Sequence, residues 1–309
     1  MAPRLIAIVG PTAAGKSALA MDLAEAHGGE IVSCDSLQVY RGLDVGSAKP
    51  GPEERRRVPH HLIDVVDADR AFSAADYARL GREALADVAA RGRLSLVVGG
   101  SGLYLRALLQ GLFAGPSRDE AIRRRLEALA ARRGDERLHR LLANVDPEAA
   151  ARIPQRDRIR VVRALEVYRA TRRPLSEHHR SSPHEPLRGF DVLQLGLAPP
   201  RVALLARVER RTDEMLERGL IAEVRGLLAR YPPDLRPLRA IGYRQAAAVV
   251  RGECTLEAAR RDIVAQTMRY AKRQMTWFRH QVRAAWHEAG EPARETAEAW
   301  LAAGAAAAP

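Results

Sequence analysis

The chain has 309 residues and a mass of 34.0 kDa, long for one minimal domain and suited to one elaborated domain or two modest ones. Apolar residues make up 47% and charged residues 28%, and no apolar run approaches the ~18–20 residues a bilayer span requires, so a membrane-spanning helix is excluded. The formal net charge of +12 suits a polyanionic partner, although abundant Arg can also reflect a compositional bias.

Residues 5–9 form an apolar run with no small-residue cleavage site after it, which reads as a first strand rather than a signal peptide. Gly10-Pro11-Thr12-Ala13-Ala14-Gly15-Lys16-Ser17 follows, and then an Ala/Leu-rich helical pattern over 18–27. A second strand over 31–34 ends at Asp35. A helical stretch over 74–91 leads to a third strand over 94–98, which ends at Gly99-Gly100-Ser101-Gly102. Strands alternating with helices predict an α/β fold with a doubly wound parallel sheet.

From Asp119 to about Arg173 the pattern turns helical, as in Ile122/Leu126/Leu129 and Ile159/Val162/Leu165, with breaks at Gly134 and near Pro154. A last core strand is expected over 192–197, followed by amphipathic helix over 202–228. The Ala-rich sequence after Gly290 is expected to be a disordered tail. The expected division is a split core of 1–117 and 190–290, an all-helical insertion of 118–189, and a tail of 291–309.

Two cysteines, Cys34 and Cys254, lie far apart without metal-ligand spacing, as expected of a reduced, cytoplasmic protein. His178 and His179, near His184, have no carboxylate or further ligand at metal-site spacing and read as a polar loop. Lysine occurs only at 16, 49 and 272, so arginine carries almost all the positive charge. That charge is concentrated: residues 118–188 hold 18 Arg against 11 acidic residues, and residues 239–283 hold ten basic against three acidic. Clustering of this kind points to nucleic acid more than composition alone does.

Residues 10–17 match GxxxxGK[ST] between a strand and a helix, the context that gives the motif its meaning. The loop amides and helix N-terminus cradle a diphosphate, with Lys16 on its oxygens and Ser17 placed to ligate Mg²⁺. The third strand ends in Gly-Gly-Ser-Gly rather than the Asp of a nucleotide hydrolase, so the loop indicates phosphate and not ATP hydrolysis. Asp35 ends the neighbouring strand, where it either caps a turn or accepts a proton from a second substrate. A small-molecule or nucleoside kinase shares the loop and sheet but has no need of two basic segments. A non-catalytic RNA-binding protein with a sensing loop is the other alternative.

Seven collinear stretches then resemble one family. They are GPTAAGKS at 10–17, SCDSLQVY at 33–40, DVGSAKP at 44–50, GGSGLY at 99–104, RALEVY at 163–168, RAIGYR at 239–244 and AKRQMTWFR at 271–279. In order and spacing they are similar to the tRNA dimethylallyltransferases, or IPP transferases, over residues 5 to about 283. The resemblance implies a P-loop NTPase-like fold whose loop binds dimethylallyl diphosphate. It implies transfer of the dimethylallyl group to N6 of the adenosine 3′ to the anticodon in tRNAs reading codons that begin with U.

Carried over by residue, it implies that Gly10, Pro11, Thr12, Ala13, Ala14, Gly15, Lys16, Ser17 and Arg207 bind the prenyl diphosphate. Mg²⁺ would be held at Ser17, and Asp35, Ser101 and Lys16 would carry the chemistry. The tRNA anticodon stem-loop would meet Asp35, Ser36, Leu37, Gln38 and Ser101. In the insertion it would meet Arg123, Ile159, Arg160, Val161, Val162 and Arg163. Further expected contacts are Arg239, Ala240, Ile241, Gly242, Tyr243 and Arg244, and Lys272, Arg273, Gln274, Met275, Thr276, Trp277, Phe278 and Arg279. A monomer without a membrane partner is expected.

The sequence departs from the family pattern in using Ser101 for Thr, Ala14 and Ser17 for Ser and Thr, and Arg-Ile-Pro-Gln-Arg-Asp at 152–157 where the family has RIHPND. Along the helix near 270, Met268, Ala271, Met275, Phe278 and Val282 form an inward apolar stripe. Arg269, Lys272, Thr276, Arg279 and Arg283 form a polar stripe suited to phosphates. Trp277 either stacks on a base or packs at a helix interface. Arg156, Arg160 and Arg163 are expected on one helical face.

Overall fold

A computed structural model of the chain describes residues 2–113, 115–116, 118–181 and 185–306; His184 and tail residues 307–309 lie outside the described residues. Cα packing divides the chain into one unit of residues 1–109 with 187–309 and a second of 110–186. The boundaries expected at 118 and 189 therefore shift to 110 and 186.

The first unit is built on six strands among the described residues: β1 Arg4–Val9, β2 Glu30–Ser33, β3 His60–His61, β4 Ser95–Gly99, β5 Asp191–Leu197 and β6 Ala285–His287. Their order across the sheet is β3-β2-β4-β1-β5-β6, and each neighbouring pair is parallel. The doubly wound parallel sheet is the one expected. Two short edge strands, β3 and β6, escape sequence reading because two or three residues show no alternation.

Burial on both faces explains the unbroken apolar run of β1. Leu5, Ala7 and Val9 enter one core with residues of α3 (Ala74–Ala90), α4 (Gly102–Gln110), α10 (Leu220–Arg230), α11 (Tyr243–Val250) and α12 (Leu256–Gln281). Ile6 and Ile8 enter the other, with α1 (Lys16–His27), Val58 at the end of α2 (Pro52–Arg57), and α13 (Gly290–Ala306). The expectation of a disordered tail is thus corrected through residue 306. Ala293 and Ala297 are fully buried against the sheet, Trp300 and Leu301 pack beside them, and Arg4 lies over the Trp300 ring with its centroid 4.8 Å away. The single amphipathic helix expected over 202–228 is two, α9 (Arg201–Glu217) and α10. The chain turns at Gly219, whose φ of 93° suits glycine.

The second unit holds α5 (Glu120–Val145), α6 (Pro147–Arg152), α7 (Arg158–Thr171) and α8 (Leu175–Ser181). Gly134, at φ 79°, interrupts α5 where the sequence predicts a break. Leu126, Leu138, Leu142, Val161, Val162 and Leu165 form its core. Asp119, Asp146 and Asp157 accept hydrogen bonds from the first turns of α5, α6 and α7, satisfying N–H groups that a helix leaves without partners.

Candidate active site

Because β2, β4 and β1 are neighbours, the loops leaving their C-terminal ends converge, the usual place for a ligand in an open α/β sheet. The β1 loop takes conformations that glycine favours: φ is 143° at Gly10 and 97° at Gly15. Gly10 also has no room for a side chain, since a Cβ there would lie 2.4 Å from the Leu197 carbonyl oxygen. No side chain caps the N-terminus of α1, so its first N–H groups remain for an anion.

Lys16 is buried and donates to the Pro11 carbonyl at 2.6 Å. Burial and then the charge of Arg211 lower its pKa from 10.5 to about 8, and Asp35 opposes that shift. Two arginines from successive turns of α9 brace the loop. Arg207 donates to the Ala14 carbonyl at 3.1 Å, and Arg211 donates to Thr12 Oγ1 at 3.1 Å. Arg211, which the sequence reading missed, lies i+4 from Arg207 on one helix face, a spacing that could have found it. Burial lowers the Arg211 pKa, and Asp35 again opposes the shift. Asp35 thus stands within electrostatic reach of both cations on the phosphate loop.

One Asp35 oxygen, Oδ1, accepts from Leu37 N at 2.8 Å and from Gln38 N at 3.4 Å. The turn-capping and proton-accepting readings are therefore compatible, since Oδ2 is not part of the turn. Ser101 Oγ accepts from Ser36 N at 3.0 Å, while Ser101 N donates to the Cys34 carbonyl at 3.2 Å. The β4 loop is glycine-rich because neighbours crowd it. A Cβ on Gly99 would lie 2.0 Å from the Cys34 oxygen, one on Gly100 2.3 Å from Gln274 Nε2, and one on Gly102 2.3 Å from the Trp277 ring.

Gln274, expected at the RNA, is instead a buried tie between two loops: Thr12 N donates to its Oε1 at 3.0 Å and its Nε2 donates to the Gly100 carbonyl at 2.9 Å. Tyr270, one turn earlier on α12, was not singled out by sequence. Burial and then Asp35 push its hydroxyl up to about 12, and the Arg273 guanidinium lies 5.7 Å from its ring centroid.

Several expected RNA contacts are scaffold. Val161 and Val162 lie in the helical core, and Tyr243 and Phe278 are buried in the sheet's core. Arg123 and Arg163 both pair with the fully buried Glu166, at 3.1 and 2.9 Å, as an interior carboxylate demands. Gln38 has both ends of its amide engaged: Ser33 Oγ donates to Oε1 at 2.8 Å, and Nε2 donates to the carbonyls of Ser47 and Ala48 at 3.4 and 3.2 Å. Trp277 packs on Gly102 and edge-on to Phe278, with centroids 5.3 Å apart, which favours the helix-interface reading.

Ser36, Ile159, Arg160, Arg239, Arg244, Lys272, Arg273, Thr276 and Arg279 are exposed; Leu37, Ala240, Ile241 and Met275 are half-buried. Of the apolar stripe expected near 270, Ala271 and Phe278 are buried and Met268, Met275 and Val282 only half-buried, while Arg269, Lys272, Thr276, Arg279 and Arg283 are exposed; α12 ends at Gln281, before Val282 and Arg283. Arg156 precedes the start of α7, so the three-arginine helical face is not formed. Arg160 pairs with Asp157 at 2.6 Å on the surface.

Among the described residues no three His, Cys, Asp or Glu side chains gather as a metal cage. Ser17 is exposed on the first turn of α1. Its hydroxyl is a hard oxygen donor of the kind that Mg²⁺ takes.

The sheet order, the glycine loop on β1 and the separate helical unit define an α/β, P-loop-like protein with a helical domain. The chain belongs to the IPP transferase family, whose model matches residues 38–281. It is 53% identical over 290 residues to tRNA dimethylallyltransferase 2 of Geotalea uraniireducens, covering 92% of each chain, and 50% identical over 277 residues to the tRNA dimethylallyltransferase of Myxococcus xanthus, covering 90% of each. Its structure is similar to the tRNA isopentenylpyrophosphate transferase of Bacillus halodurans, with TM-score 0.66, 41% identity and coverage of 92% of this chain and 89% of that one. It is also similar to a eukaryotic dimethylallyltransferase acting on tRNA, with TM-score 0.74, 28% identity and coverage of 89% and 70%.

Proposed function

We propose that the chain transfers the dimethylallyl group of dimethylallyl diphosphate to N6 of the adenosine 3′ to the anticodon, in tRNAs reading codons that begin with U. The observation that carries this reading is the meeting of a phosphate loop with a carboxylate, Asp35, that acts on both of its cations. A carboxylate beside a diphosphate is repelled unless something cationic or protic lies between, and its placement with Lys16 and Arg211 suits work on a second substrate.

In this reading the amine nitrogen attacks the allylic carbon as the carbon–oxygen bond breaks. The bonding pair leaves with the diphosphate and the amine proton passes to Asp35 Oδ2. Lys16, Arg211 and the loop amides stabilise charge on the departing oxygens. A Mg²⁺ bound by the diphosphate and Ser17 would supply further charge neutralisation. Ser101 Oγ, fixed by Ser36 N, lies on the loop facing Asp35 and contacts the base or the leaving group. Extruding the adenosine from a loop costs less than from a duplex.

Within the first unit, exposed Arg239, Arg244, Lys272, Arg273, Thr276 and Arg279 supply tRNA contacts, and within the helical unit exposed Ile159 and Arg160 do. The reading includes a monomeric, cytoplasmic enzyme, in keeping with two free cysteine thiols. No helix among the described residues is long and apolar enough to cross a membrane.

The test is incubation with Mg²⁺, labelled dimethylallyl diphosphate and unmodified tRNA, without ATP, followed by nucleoside digestion. Label on adenosine is the expected result. Bound but unlabelled tRNA, or phosphorylation that requires ATP, would overturn it.

A further inference from the structure

Two of the sequence stretches, 44–50 and 239–244, lie outside the phosphate loop and are tied together by one carboxylate. Three successive backbone N–H groups converge on Glu223 of α10. Asp44 N and Val45 N donate to Oε2 at 3.1 and 2.7 Å, and Gly46 N donates to Oε1 at 3.3 Å. The Tyr243 hydroxyl adds a fourth bond to Oε1 at 2.8 Å. Gly46 lies so close to the Tyr243 ring that a Cβ would fall 2.6 Å from it.

The other end of this loop is held by Lys49, whose side chain is 1% exposed. Its ammonium donates to the Tyr40 carbonyl at 2.7 Å and to Asp44 and Asp64 at 2.6 Å each. Ser47 Oγ closes the loop on the Leu43 carbonyl at 2.6 Å. A loop clamped at both ends presents two carbonyls, those of Ser47 and Ala48, and both accept from Gln38 Nε2. The Gln38 amide cannot flip, because the Ser47 and Ala48 carbonyls can only accept and so require Nε2 on their side, leaving Oε1 to Ser33. The backbone N–H groups of Gln38 and Leu37 in turn hold Asp35 Oδ1.

We infer that Glu223, acting through the 43–49 loop and Gln38, is a positioning residue that fixes which Asp35 oxygen faces the substrate. The chain of contacts runs from a carboxylate on α10 to a clamped loop, to a fixed amide, to the turn that immobilises one side of Asp35. The inference rests on the proposed role of Asp35. Near-attack geometry is sensitive to sub-ångström error, so loosening the loop lowers turnover while leaving the diphosphate site unchanged.

The experiment is a double-mutant cycle in single-turnover dimethylallyl transfer, with inorganic diphosphate binding measured on each protein. Glu223→Gln should lower kcat about tenfold or more with diphosphate affinity unchanged. Tyr243→Phe, which keeps the packing and removes one of the four bonds, should lower kcat by a smaller factor. In an Asp35→Asn background, Glu223→Gln should add little further loss, because it acts through the group already removed. Should Glu223→Gln fold poorly, Tyr243→Phe completes the same cycle. A loss that is additive with Asp35→Asn, a parallel loss of diphosphate affinity, or full activity of both the Glu223 and Tyr243 variants overturns the inference. Full activity of Asp35→Asn alone instead overturns the reading on which it rests.

Discussion

Lys16 provides a test of the phosphate loop that needs no RNA. Its pKa in the free protein is about 8, because burial and Arg211 disfavour the ammonium more than Asp35 favours it. A bound diphosphate brings negative charge and raises that value. Below pH 8 both free and bound proteins carry the proton, so affinity is flat. Above pH 8 binding must first take up a proton, so affinity falls with rising pH, about tenfold per unit, until the bound-state pKa is reached. At pH 9 roughly one molecule in eleven is protonated beforehand, so inorganic diphosphate should bind about tenfold more weakly than at pH 7, or about 1.4 kcal/mol.

Neither neighbouring weak acid confuses this window, since burial holds the Cys34 thiol and the Tyr270 hydroxyl up at about 12 each. The assay is calorimetric titration with inorganic diphosphate from pH 7 to 9.5 at constant ionic strength, each profile taken as a ratio to that of Lys16→Met so that the ligand's own protonation cancels. Lys16→Met should bind weakly and show only the ligand's own protonation. Arg211→Gln should move the inflection upward, because a repelling charge has been removed. A wild-type profile that is flat to pH 9.5, or an inflection that stays in place in Arg211→Gln, would refute this account of the site.

Asp35→Asn keeps the turn-capping oxygen and removes the base, so transfer should slow by about 10²-fold or more with an unchanged melting temperature, as read by labelled transfer and differential scanning calorimetry. Arg160→Glu should weaken tRNA binding and flatten its dependence on salt, measured by filter binding across ionic strengths, while diphosphate affinity stays constant. Ala297→Asp buries a charge between α13 and the sheet and should lower stability by several kcal/mol, seen as a fall in the urea midpoint.

The parts of the site legible in the sequence are those whose chemistry is written locally. A phosphate loop needs its glycines and lysine within eight residues, and Asp35 follows directly on a strand, so both could be found without tertiary knowledge. The RNA-facing residues were harder because a motif does not separate contact from scaffold. Ile159 and Val162 stand three residues apart on one helix, yet the first is exposed and the second buried. Helical periodicity does not carry that distinction, since residues three apart share a face; Ile159 is exposed because it stands in the first turn of α7, at the end of the packed stripe.

Arg123 was unreadable for a different reason. Glu166 is brought to Arg123 from 43 positions away by the packing of α5 and α7, which no spacing rule announces, whereas its pairing with Arg163 is an i,i+3 contact on α7 that the sequence does offer. The tail is the reverse case. Ala293, Ala297, Trp300 and Leu301 stand at i, i+4, i+7 and i+8, the stripe of a helix with one buried face. Low complexity concealed the pattern because alanine looks inert. Against a parallel sheet, a small side chain is what lets a helix approach closely, and in this protein such a helix covers part of the sheet that carries the phosphate loop.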